Sequence, residues 1–187
     1  CCPGFGSVAK YVVTSTIEAA LDVESMHETS TKVFILEVMG RHAGWIAGSS
    51  CLAQDSHPGA PHIILLPEIS FNQKKFLAKV KETVKKNGFC VIVASEGIKN
   101  SQGKFLAESD SKDAFGHSQL GGVAPRLADL IYEKLKLKNH WAVADYLQRS
   151  ASHLSSGVDR AHAYEVGRKA VLYATQGLNG VMPVIKR

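Results

Sequence analysis

The sequence has few of the features that mark membrane, secreted or disulfide-linked proteins. No apolar run in its 187 residues approaches the roughly 20 that a transmembrane helix needs, so no membrane association is predicted. No basic segment followed by an apolar one opens the chain, and we expect no signal peptide. Four cysteines occur and none has C-x-x-C spacing, which argues against a disulfide framework and favours a reducing, cytoplasmic location.

Motifs for common cofactors are also missing. There is no P-loop, and residues 4–6 (GFG) are no dinucleotide fingerprint, because no strand precedes them and the third glycine is absent. The eight histidines have neither H-x-x-x-H nor H-E-x-x-H spacing, so no metal site is predicted in this chain. Cys51 and Cys90 lie in apolar stretches, which predicts buried free thiols.

The net charge of +5 comes largely from one lysine-rich segment, residues 74–86. Its lysines alternate with apolar residues at helical spacing, which is typical of the solvated face of an amphipathic helix capped at Ser70 or Asn72. No aromatic interleaving or recognition motif accompanies the lysines, so we predict no nucleic-acid partner.

Apolar strands and amphipathic helices alternate along the chain. Strands are predicted at residues 33–38, 62–66, 89–94 and 141–144, and helices at 7–28, 43–53, 72–87, 123–135 and 159–175. Residues 99–117 are predicted as a long loop, and residues 180–185 as the start of a strand. Continuous apolar strands between helices indicate an α/β fold, a three-layer αβα arrangement around a mainly parallel sheet.

The first candidate site follows the first predicted strand, in residues 36–45, LEVMGRHAGW. In open α/β sheets ligands bind outside the carboxyl ends of the strands. A helix N-terminus with free N–H groups favours anions there, and the planar guanidinium of Arg41 suits phosphate. These residues predict a site for a small molecule that contains phosphate, although a surface arginine paired with a carboxylate is the plainer alternative.

The same segment resembles the sugar-phosphate motif of the phosphofructokinase family. Three further segments resemble that family in the same order: residues 2–11 (CPGFGSVAKY), 93–97 (VASEG) and 146–150 (YLQRS). Residues 145–151, DYLQRSA, resemble the pyrophosphate-dependent branch more than the GHIQRGG usual in ATP-dependent bacterial members. The resemblance spans nearly the whole chain. The family's subunit has two lobes, and the resemblance implies that this chain forms most of the lobe that binds fructose 6-phosphate.

The resemblance also implies roles for particular residues. Met39, Gly40 and Arg41 would line the fructose 6-phosphate pocket, with Gly40 letting the backbone approach the sugar. Glu96 would accept hydrogen bonds from sugar hydroxyls, and Tyr146 with Arg149 would bind the 6-phosphate. Lys32 would be a basic residue that reaches the pocket of a neighbouring subunit. For Lys32, a solvated lysine at a strand start is an equally good interpretation.

The function that follows from the resemblance is phosphoryl transfer to the 1-hydroxyl of fructose 6-phosphate, with pyrophosphate or, alternatively, ATP as the donor. The family's general-base aspartate and its Mg²⁺ ligands lie in a loop that would precede Cys1, so we expect an internal fragment that is inactive alone. A homodimer or homotetramer is expected. A non-catalytic sugar-phosphate-binding module is the second hypothesis, and a hydrolase with Ser95 as nucleophile is weaker because Val93 replaces the first glycine of G-x-S-x-G.

Overall fold

A four-stranded parallel sheet forms the centre of the structure, a computed structural model that describes residues 4–57, 59–112, 118–120 and 122–186. Its strands, in spatial order, are β2 (Ile63–Leu65), β3 (Cys90–Ser95), β1 (Val33–Val38) and β6 (Asn139–Val143). β4 (Glu108–Lys112) and β5 (Ser118–Leu120) form a separate antiparallel pair. Because the four strands are parallel, their carboxyl ends share one edge, at which the turns after β1, β3 and β6 are neighbours.

Helices cover both faces of this sheet. On one face lie α1 (Phe5–Met26) and α2 (Trp45–Ser49), which continues as a 3₁₀ turn at Ser50–Asp55. On the other lie α3 (Gln73–Asn87) and α4 (Val123–Leu135). After β6 come α5 (Leu147–Ser150), a 3₁₀ turn (Ser152–Leu154) and α6 (Gly157–Thr175), and α6 has no buried residue in the described chain. The predicted three-layer αβα fold is confirmed.

The two-residue period of the strands divides their side chains between the two layers. In β1, Val33 and Ile35 face α3 and α4, whereas Leu36 and Val38 face α1 and α2. The same alternation turns the carboxylate of Glu37 towards the start of α4.

Most predicted elements are confirmed within a few residues, and three are corrected. The predicted helix at 43–53 is the short α2 followed by a 3₁₀ turn. The predicted loop at 99–117 contains β4, while residues 113–117 lie outside the described residues. Residues 180–186 form no strand. Asn72 is the cap of α3, since its side-chain oxygen accepts a hydrogen bond from the Lys75 N–H at 3.0 Å.

The two cysteines in the described part of the chain are both free, but only Cys90 is buried. Burial raises the pKa of the Cys90 thiol to about 12, so this group stays protonated. The prediction for Cys51 is wrong: the 3₁₀ turn after α2 leaves its side chain exposed. The lysines of α3 are exposed as predicted. Among the described helices, none combines the length and apolar character that a membrane crossing requires.

Candidate functional site

The turn after β1 contains the predicted residues Met39, Gly40 and Arg41, which are partly buried. Gly40 has φ +142°, and a Cβ atom there would lie 2.7 Å from the carbonyl oxygen of Ala43 and 3.1 Å from Ser95 Oγ. Both its backbone conformation and its surroundings therefore require glycine. The absence of a side chain lets the turn fold tightly against the neighbouring strand end.

That neighbouring strand end, after β3, binds the same turn through two side chains. Ser95 Oγ donates to the carbonyl oxygen of Gly40 at 2.6 Å, and Glu96 Oε1 accepts from the Gly40 N–H at 3.2 Å. Gly97 is buried directly against the Arg41 carbonyl. The structure thus brings Glu96 together with Met39, Gly40 and Arg41, as adjacent parallel strands predict.

The turn after β6 approaches from the other side of β1. The Met39 N–H donates to Gln148 Oε1 at 3.2 Å, and Gln148 Nε2 donates to the carbonyl oxygen of Asp145 at 2.8 Å. Arg149 and Tyr146 are exposed, and the Arg149 guanidinium lies 4.3 Å from the centre of the Tyr146 ring. This cation–π contact orients the arginine without removing its N–H donors from solvent.

A buried carboxylate, Glu37, connects β1 to the start of α4 next to the site. Its side chain is fully buried and accepts hydrogen bonds from Gly122 N–H at 3.1 Å and Ala124 N–H at 2.7 Å, at the start of α4. Burial raises the pKa of Glu37 above its ordinary value, and the negative charge of Glu96 acts in the same direction. The N–H contacts lower the pKa but do not cancel the effect of burial.

Lys32 lies at the opposite edge of the sheet from the other candidates. It precedes β1, its carbonyl accepts from Cys90 N–H at 2.9 Å, and its ammonium donates to the carbonyl oxygen of His27. Within one copy of the chain it is therefore not part of the cluster at the carboxyl ends. A role at a neighbouring subunit stays a prediction.

The rim beside Arg41 is basic. Lys99 Nζ lies 3.4 Å from His42 Nδ1 and 4.9 Å from the centre of the Phe105 ring. Within the described residues no group of three or more histidine, cysteine, aspartate or glutamate side chains is placed to hold a metal ion. The positive charge on this rim suits an anionic ligand.

Two residues of the site were not singled out from the sequence. Glu37 is a charged residue inside an apolar strand run, which is a usable signal because buried carboxylates need partners. Gln148 lies in a quoted motif, but nothing in its local sequence indicates that its amide is buried. Its partners are 3 and 109 residues away along the chain.

The comparisons with known proteins agree on one family. Residues 1–174 match the family described as Phosphofructokinase. A pyrophosphate–fructose 6-phosphate 1-phosphotransferase from Halomonas elongata is 60% identical over 185 residues, covering 99% of this chain and 44% of that protein. One from Methylococcus capsulatus is 56% identical over 187 residues, covering 100% of this chain and 44% of that protein.

Solved structures give the same result. The crystal structure of a pyrophosphate-dependent phosphofructokinase from Marinobacter aquaeolei matches with a TM-score of 0.80 and 53% identity, covering 100% of this chain and 43% of that one. A second, from Nitrosospira multiformis, matches with a TM-score of 0.79 and 54% identity, covering 100% of this chain and 43% of that one. The chain spans less than half the length of these relatives.

Proposed function

Because the chain belongs to the phosphofructokinase family, we propose that it forms the fructose 6-phosphate side of an enzyme that phosphorylates the 1-hydroxyl of this sugar. The product would be fructose 1,6-bisphosphate, in glycolysis. The observation that supports the proposal most is the meeting of Arg41, Glu96 and the Arg149 segment at adjacent strand ends. A sugar phosphate has the matching groups: an anionic phosphate and several hydroxyls.

The proposed role of each site residue follows from the chemistry of its side chain. Arg149, already oriented over Tyr146, is exposed and can form two parallel hydrogen bonds to phosphate oxygens. Arg41 supplies a second guanidinium beside the turn. Glu96 uses Oε1 for the Gly40 N–H, and its second oxygen is the acceptor we assign to a sugar hydroxyl. Met39 and Gly40 complete the wall on which the sugar rests.

We propose pyrophosphate as the donor, with ATP as the alternative. Two relatives that are more than half identical to this chain are named for the pyrophosphate-dependent reaction. Residues 145–151, DYLQRSA, also resemble that branch. The phosphate-donor contacts, the general base and the Mg²⁺ ligands are assigned to sequence outside these 187 residues, since the relatives are more than twice as long.

The remaining proposals concern the assembly. We propose a homodimer or homotetramer in which Lys32 reaches a neighbouring copy, and a cytoplasmic location for the complete enzyme. The position of Lys32, away from the cluster in its own chain, is compatible with such a contact. Sedimentation analysis with and without fructose 6-phosphate tests the assembly, and a monomer under both conditions would contradict it.

The binding proposal is tested by calorimetric titration of the 187-residue chain with fructose 6-phosphate and with fructose. A charge-assisted hydrogen bond contributes about 1.5–3 kcal/mol, so Arg149→Ala should weaken fructose 6-phosphate binding by about one to two orders of magnitude. Arg160→Ala, which removes an exposed arginine of α6, is the matched control and should leave affinity unchanged. Equal losses in both variants would contradict the assignment of Arg149.

Turnover assays separate the candidate functions. With fructose 6-phosphate, Mg²⁺ and either donor, we expect the 187 residues alone to bind sugar phosphate without turnover. A protein that includes the remaining length of the relatives should turn over with pyrophosphate. Turnover with ATP only would favour the ATP-dependent alternative, and binding without turnover in that longer protein would favour the non-catalytic module.

A further inference from the structure

Gln148 joins two parts of the site, the turn formed by residues 39–41 and the segment 145–149. It is one of the largest fully buried side chains, with 1% of its surface exposed. Its oxygen accepts from the Met39 N–H and its nitrogen donates to the Asp145 carbonyl, at 3.2 and 2.8 Å. Among the described residues, no further side-chain hydrogen bond links the 39–41 turn to the 145–149 segment. The Gln148 amide therefore connects the turn that contains Arg41 with the segment that contains Arg149, the two arginines proposed to bind phosphate.

The 145–149 segment needs such a connection. Its strand, β6, is hydrogen-bonded to β1 and lies at the edge of the sheet, and the ladder ends at Val143. Beyond it, Asp145 has φ +38°, a left-handed conformation that is unfavourable for a residue with a side chain. Gln148 Nε2 holds the carbonyl of that strained residue. Arg149 is the next residue of the same helical turn, and its N–H donates to the Tyr146 carbonyl, so the Gln148 contact acts together with this turn to place the arginine.

We propose that Gln148 is a positioning residue that fixes Arg149 relative to the turn formed by residues 39–41. The proposal rests on the proposed function, because Arg149 is assigned there to the sugar phosphate. Gln148 itself is too deeply buried to touch a ligand, so it would act on binding indirectly, through its hydrogen bonds to Met39 and Asp145.

The substitution Gln148→Glu turns this contact into one that responds to pH. A protonated carboxyl has one accepting oxygen and one O–H donor, so it reproduces both hydrogen bonds of the amide. An ionised carboxylate only accepts, and it then faces the Asp145 carbonyl oxygen without a proton between them. The ordinary glutamate pKa is about 4.3, and burial raises it. Lowering the pH should therefore restore the contact in this variant.

The measurements are fructose 6-phosphate affinity and hydrogen exchange of the Met39 amide in the ligand-free chain, both between about pH 9 and pH 5. Affinities are compared with the unsubstituted chain at each pH, because the phosphate group itself titrates. At the alkaline end Gln148→Glu should bind about tenfold or more weakly, and the ratio should approach one at the acid end. Gln176→Glu, the same change at the exposed glutamine that follows α6, should be indistinguishable from the unsubstituted chain throughout.

A second variant, Gln148→Met, tests the same contact without a titratable group. Gln148→Met keeps the side-chain volume but cannot form either hydrogen bond, so it should bind weakly at every pH and leave the Met39 amide less protected. Normal affinity in a folded Gln148→Met chain would show that the amide is structural only and would overturn the proposal, as would a pH-independent affinity ratio for Gln148→Glu. If the unsubstituted chain binds no fructose 6-phosphate while the ratio of Met39 exchange rates between Gln148→Glu and the unsubstituted chain still approaches one at acid pH, the proposed function fails and the positioning contact stands.

Discussion

Gly97 offers a steric test of the site geometry. A Cβ atom on Gly97 would lie 2.1 Å from the carbonyl oxygen of Arg41 and 2.6 Å from that of Gly40, whereas ordinary contacts begin at 3.4 Å. Both obstructing groups are backbone, so no side-chain rotation relieves the clash. In Gly97→Ala the turns after β1 and β3 must therefore separate by roughly 1 Å. Gly97 is not among the glycines with positive φ, so the effect is steric rather than conformational.

The expected consequences are a loss of stability and a larger loss of binding. Overpacking of this kind costs about 1–3 kcal/mol of unfolding free energy. A separation of about 1 Å should break at least one charge-assisted hydrogen bond to the ligand, worth about 1.5–3 kcal/mol, so fructose 6-phosphate affinity should fall by about one to two orders of magnitude. Urea denaturation gives the first quantity and calorimetric titration gives the second.

Gly48→Ala is the matched control, because a Cβ atom there meets nothing within 4 Å. It should bind normally and gain about 0.5–1 kcal/mol, as alanine is favoured over glycine within a helix. Unchanged fructose 6-phosphate affinity in a folded Gly97→Ala chain would refute the reasoning, since it would mean that the spacing of the two turns is irrelevant to the ligand.

Three further predictions concern single side chains. Glu96→Gln keeps an oxygen for the Gly40 N–H but loses the charge, so fructose 6-phosphate affinity should fall about tenfold. In parallel titrations the affinity for inorganic phosphate should stay unchanged. Equal losses for both ligands would contradict a sugar contact. Because burial raises the pKa of Glu37, the native chain holds that proton to higher pH than the unfolded chain, and stability falls as the pH rises from the ordinary glutamate pKa through the raised one. Melting temperatures measured over this interval should show that fall in the unsubstituted chain and not in Glu37→Gln, and parallel profiles would be inconsistent with a buried, perturbed carboxyl. Asn72→Ala should lower the unfolding free energy by about 1 kcal/mol in urea denaturation, because it removes the cap at Lys75 N–H, and an unchanged value would show that the cap is not stabilising.

The sheet was predictable because its strands are continuous apolar runs between polar turns. β1 lies at residues 33–38 and α4 at 123–135, both as the periodicity predicts. β4 was missed because its sequence, ESDSK, is polar and has no alternation. Such a strand depends on its pairing with β5 rather than on an apolar pattern of its own, and patterns in a single sequence do not detect that pairing.

Part of the site was predictable for the same reason. A glycine and charged residues after buried strands point to the carboxyl edge of a parallel sheet, and Glu96 does lie against Gly40 there. The contacts of Gln148 and the capping of α4 by Glu37 were not predictable, because both join residues far apart in sequence. The exposure of Cys51 was likewise set by a 3₁₀ turn where a continuing α-helix was expected.

Backbone amide NMR of the 187-residue chain during titration with fructose 6-phosphate tests directly whether these strand ends bind the sugar phosphate. We expect saturable shifts at Met39, Gly40, Arg41 and Arg149, with much smaller shifts when fructose alone is added. Amides at the C-terminal end of α3, which precedes β3 and lies at the amino edge of the sheet, should not respond. Shifts centred elsewhere, or none at concentrations that saturate the relatives, would contradict the claim that these strand ends bind the sugar phosphate.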